Sequence, residues 1–140
     1  FMEKNKIAII KNYIILVIVT VLSGFAIFLT YQEYILSSRL TLGQILCSQI
    51  RNAQLVYYKE HNEYISLDKV FFSDDLGIDA RNNPYFYTFS TYPVDSNIQR
   101  IVVFGSDKMK DYEIHLDFKP SDRRTNNLRD LDIKVVKNKP

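Results

Sequence analysis

The chain has 140 residues, 46% of them hydrophobic, with 18 Lys and Arg against 16 Asp and Glu. Residues 1 to 29 hold three Lys and one Glu and so carry the whole formal charge of +2, while the fifteen basic and fifteen acidic residues that follow cancel; this argues against a nucleic-acid-binding face, which needs a basic excess in the folded part. Cys47 is alone, which excludes a disulfide framework, and the roughly 110 residues beyond an N-terminal anchor suffice for one core but not two.

Phe1 is either a mature N-terminus or a residue standing ahead of a Met2 start. The stretch Tyr13 to Leu29 has no charge, and Tyr13, Thr20 and Ser23 are its only residues with hydroxyls. As a helix it covers about 25 Å, the short end of what crosses a hydrocarbon core. Lys4, Lys6 and Lys11 precede it, so the positive flank marks the cytoplasmic side and the bulk of the chain belongs outside. No small-residue cleavage site follows Leu29, which sets the stretch apart from a signal peptide.

From Thr30 to Lys59 there is no proline, and Gly43 is the only glycine. Leu42, Ile45, Leu46, Gln49, Ile50, Ala53, Val56 and Tyr57 recur at spacings of three and four and predict a stripe along one helical face, with Arg51, Asn52 and Lys59 off it. Anchor and stripe then form one rod of about 80 Å that ends near Glu60 to Glu63. Ser66 and Ser73 are expected to cap short turns in the connecting segment, the second stopped by Gly77.

Beyond Pro84 the period changes to two. Tyr85, Tyr87 and Phe89 alternate with polar residues, Ile98 to Phe104 is a β-branched run, and two more alternating segments lie at Tyr112 to Phe118 and Leu131 to Val135. Short links at Pro93 to Asn97 and Gly105 to Asp111 imply an antiparallel meander. The predicted class is α+β, a long N-terminal helix packed on a C-terminal antiparallel sheet of about four strands. The predicted division is a stem, 1–30, and a head, 31–140, made of the amphipathic half-helix (31–60), a connecting segment (61–84) and the sheet (85–136). Lys119 to Asn127 reads as an exposed polar loop.

This order resembles that of type IV pilins and the pseudopilins of secretion systems. The resemblance rests on Phe1, the apolar helix, YQEY at Tyr31 to Tyr34, RNAQLVYYKEHNEYISL at Arg51 to Leu67 and DLGIDARNNPYFYTFS at Asp75 to Ser90, and runs through about Phe118. It implies a filament subunit whose Phe1 is exposed by processing and N-methylated, and whose Ile14, Leu16, Val17, Val21, Phe25 and Phe28 lie in the filament core. It also implies its partners: copies of itself, the inner membrane before assembly, and a pilus or secretion assembly machinery. The product would be an extracellular or cell-surface filament drawn from a pool in the cytoplasmic membrane.

Most such pilins have a glutamate at the fifth mature residue, which pairs with a neighbour's N-terminal amine. Here Asn5 stands there and Glu3 is the nearest acid. Registering on YQEY instead puts the family's start near Ala8 and makes residues 1 to 7 an extension. Lys11 and Asn12 stand where relatives are apolar, and in place of the common stem proline there is only Ser23–Gly24. Cys47 has no partner for the family's C-terminal disulfide.

A second reading is a single-pass membrane protein with an outer binding domain, which accommodates the three N-terminal lysines directly. Catalysis is the weakest reading: His61 and His115 are the only histidines, and no nucleophile elbow, zinc-protease motif or phosphate loop is present. No cofactor, metal or nucleic acid is expected. Asp74, Asp75, Asp79, Asn82 and Asn83 offer oxygen ligands suited to calcium, but their spacing is not that of an EF-hand and turn chemistry explains them equally well. Of the tyrosines and phenylalanines, the inward half is expected in the core and the outward tyrosines at contacts between subunits.

Overall fold

The computed structural model describes residues 2–65 and 85–138. The chain forms two compact units, Phe1–Ser37 and Ser38–Pro140, and each is taken by itself. The fold is α+β, and its first element, α1 (Met2–His61), is a single helix. No proline precedes Pro84, so nothing removes a backbone donor or clashes within the helix. Glu3 in the first turn and Lys59 and His61 in the last complement the helix dipole. Asn62 ends the helix: it adopts φ 57°, and its N–H donates to the Tyr58 carbonyl at 2.8 Å, a left-handed exit that asparagine tolerates.

In the first unit α1 stands by itself, with its described residues exposed through Tyr34. In the second, α1 packs on a sheet of β1 (Phe86–Pro93), β2 (Gln99–Gly105), β3 (Tyr112–Phe118) and β4 (Ile133–Lys137), in that order and all antiparallel. Ile101, Val103, Ile114, Leu116 and Phe118 turn inward and are buried, while Arg100, Glu113, His115 and Asp117 alternate outward. That alternation follows from the two-residue period of the sequence.

Two expectations are corrected. The buried face of the helix is not the predicted stripe: Gly43, Cys47, Arg51, Gln54 and Leu55 are buried, whereas Leu42 and Ile45 remain 41% and 40% exposed. Only Leu46, Ile50 and Ala53 of the stripe are buried, so the packed face is turned away from its apolar centre. Gly43 sets that rotation, because a Cβ there would collide with Ile114 Cδ1 and stand 2.9 Å from Phe86 Cδ2; the helix meets the sheet where it has no side chain. In β1 the buried residues Phe86 and Phe89 stand three apart, because the pairing register shifts between Phe86 and Thr88. Such a bulge sets two residues against one and moves the strand onto its other parity.

The expected caps Ser66 and Ser73 and the stop at Gly77 lie outside the described residues.

Candidate functional site

The stem is where the chain departs furthest from an ordinary soluble fold. Ile14, Leu16, Val17, Val21, Phe25 and Phe28 are between 49% and 64% exposed. Five of them follow spacings of three and four down one side, but Leu16 lies on another. Ile15 and Leu22, off that side, are as bare at 49% and 62%. The apolar surface is therefore a complete sleeve rather than a stripe, and the whole is long and apolar enough to cross a membrane: its most apolar eighteen-residue stretch has a mean hydropathy of 2.5 and no buried residue.

The aliphatic hydroxyls of the stem bond to its own backbone. Thr20 Oγ1 donates to the Leu16 carbonyl at 2.9 Å, Ser23 Oγ to Val19 at 2.8 Å and Thr30 Oγ1 to Ala26 at 3.0 Å. Each hydroxyl is thus satisfied one turn back along its own helix, as a low-dielectric surrounding requires. Glu3 is exposed in the first turn of α1, and Phe1 lies outside the described residues.

In the head the polar groups hold the fold together. Gln54 is fully buried; its Nε2 donates to the Ile65 carbonyl at 3.1 Å and its Oε1 accepts from the Ile65 N–H at 2.8 Å. One amide therefore satisfies both backbone groups of the segment leaving the helix. Arg51, 4% exposed, donates to the Arg123 carbonyl at 3.1 Å and lies 3.5 Å from Asp122. Asn52 donates to the Thr125 carbonyl at 3.0 Å and accepts from its N–H at 3.3 Å, and Ser48 reaches the same carbonyl at 3.4 Å. Residues 48, 51 and 52 thus clasp the polar loop of residues 119–127, most of which is exposed as the sequence predicts.

Beside the clasp runs an open groove of about 530 Å³. Its floor is the helix face Gln49, Asn52, Ala53 and Val56, and Arg124 and Asn126 form part of its wall.

On the outer sheet face Arg100 pairs with Asp117 through two bonds of 2.6 and 2.7 Å, and this guanidinium holds the Asp117 carboxyl below its ordinary value. His115 Nε2 lies 3.0 Å from Glu113, whose other oxygen accepts from Asn138 at 2.7 Å. Both bonds lower the Glu113 carboxyl, the histidine contributing most. His61 stacks on Tyr57 with ring centres 4.0 Å apart. The hydrogen-bond partners of the two histidines are the Tyr57 backbone carbonyl for His61 and the Glu113 carboxylate for His115.

Tyr64 lies between Tyr58 and Phe118, and burial, then Tyr58 and Asp122, push its hydroxyl up to about 12. Burial likewise raises the Cys47 thiol. Among the described residues no group of three or more His, Cys, Asp or Glu could hold a metal; Asp74, Asp75, Asp79, Asn82 and Asn83 lie outside them. The backbone around the three arginines 123, 124 and 129 is held at Arg123, whose carbonyl accepts from Arg51, and at Arg129, whose N–H donates to Asn127, while Arg124 lines the groove.

No protein-family model, curated protein or solved structure matches the chain.

Proposed function

We propose that the chain is the structural subunit of a type IV pilus-like filament, held in the cytoplasmic membrane by its stem before assembly and built into an extracellular polymer by burial of stems against one another. The observation that carries the reading is the bare apolar sleeve, with the hydroxyls of Thr20, Ser23 and Thr30 turned into their own helix, at the start of the helix on which the sheet is built. Such a surface is stable in lipid or against copies of itself, and burying a few hundred Å² per neighbour at ~25 cal/mol/Å² yields several kcal/mol per contact. Heterologous contacts that do not close into a ring give an open helical array.

The test is to shear cells that make the full chain and examine the released material by electron microscopy. Filaments containing the protein support the reading. Protein that stays entirely in the membrane fraction, with no filament in the sheared material, overturns it.

Lys4, Lys6 and Lys11 favour a second reading, a single-pass anchor carrying an extracytoplasmic binding domain. Sequencing the N-terminus of protein made from the full gene separates the two. A processed Phe1, especially a methylated one, belongs to the filament reading, and an intact Met-led terminus to the anchor.

A further inference from the structure

The groove beside the clasp and the exposed Leu42 and Ile45 call for the same occupant. All lie on the part of α1 that the sheet leaves uncovered. Arg124 projects from a backbone held on both sides, by Arg51 at Arg123 and by Asn52 at Thr125, so the root of its side chain is set beside the groove it lines and no ordering of that backbone is left to be done when its guanidinium takes a partner. Glu33 is the only acid on the helix between Glu3 and Glu60. It is exposed and lies four residues beyond the apolar sleeve, where packing of stems would strip water from it; a carboxylate so placed needs an opposite charge.

We propose that the groove receives the helix of a second copy of this chain, with that copy's Glu33 paired to Arg124; the proposal rests on the filament reading and specifies one of its contacts. A parallel neighbour whose Glu33 reaches the level of Asn52 and Ala53 is displaced by about twenty residues, or ~30 Å at the helical rise. The same displacement sets the neighbour's Leu22 and Phe25, bare at 62% and 60%, against the levels of Leu42 and Ile45. One stagger therefore pairs the lone acid of the helix with the cation beside the groove and covers the two large apolar residues of the head helix, Leu42 and Ile45, that the sheet leaves most exposed.

The experiment compares sheared-filament yield from the full chain with Glu33→Lys, Arg124→Glu and the two together. Each single substitution is expected to lower the yield about tenfold while the membrane pool stays constant, and the charge swap to restore most of it. A chain carrying Glu33→Cys and Arg124→Cys, oxidised on whole cells, should give a ladder of cross-linked multimers. Glu33→Cys with Lys110→Cys should not; Cys47 is fully buried and does not interfere.

Wild-type filaments together with single variants that assemble normally and no ladder overturn the pairing alone. Loss of both singles without rescue by the swap, or cross-links only to other proteins, also overturns it. Absence of filaments from the unaltered chain overturns the pairing and the filament reading together.

Discussion

The two units solve opposite solvent problems with the same kinds of residue. In 1–37 the large apolar side chains are bare through Tyr34, and the hydroxyls of Thr20, Ser23 and Thr30 bond one turn back on the same helix. In the described part of 38–140 an apolar core that includes Ile50, Leu55, Ile101, Ile114 and Phe118 is buried, and polar side chains reach across the fold, Gln54 to Ile65 and Arg51 to Arg123. The difference teaches that burial of polar groups in the head is structural, since each buried side chain satisfies backbone that would otherwise be orphaned. In the stem the same economy is purely local, which leaves the surface apolar on every side.

The sharpest way to break this contrast is to put a charge in the sleeve. Val21→Asp should abolish stable membrane residence or assembly, at about 2.5–3.5 kcal/mol for a charge at mid-helix, and leave the melting temperature of the head unchanged. Fractionation and thermal melts of the detergent-solubilised chain read both. In the head the largest loss should come from Gln54→Ala, which strands the Ile65 N–H and carbonyl; unfolding by urea should show about 3 kcal/mol less stability.

Gly43→Ala should cost about 2 kcal/mol through overpacking against Ile114 and Phe86, again in the head alone. Asn52→Ala removes one part of the clasp and should cost about 1 kcal/mol. Its clearer signature is faster trypsin cleavage after Arg123 and Arg124 in the otherwise folded chain.

The smallest effect concerns acid. Asp117 and Glu113 both have carboxyls held below their ordinary values in the folded chain. The stability they contribute is therefore complete above the unfolded carboxylate pKa of about 4 and is lost as pH falls through their lower folded values. Arg100→Ala should flatten the acid limb of a stability-against-pH curve without altering its neutral plateau by more than about 1 kcal/mol.

The long helix, its end near His61 and the four antiparallel strands were legible in the sequence, because unbroken helical stretches and two-residue alternation report directly on backbone geometry. The rotation of the helix on the sheet was not. Arg51 and Gln54 count as polar in any pattern, yet they are buried because their partners are backbone groups 72 and 11 residues away, and spacing cannot announce a distant carbonyl. Gly43 reads as a helix weakener, while its role is to let Phe86 and Ile114 approach. The bulge after Phe86 likewise moves the buried residues of β1 off strict alternation. In the stem, apolarity was plain.

Each strand of the sheet pairs only with its neighbours in the sequence. Nothing in that order has to wait for a distant piece of chain, so the sheet can zip hairpin by hairpin while the polypeptide is still emerging, and connections this local favour fast folding. The last strand and the segment gripped by Ser48, Arg51 and Asn52 close the structure at the end. A chain released before Lys119 would lack both, and its β1 to β3 would be left without the strand and the clasp that complete the head.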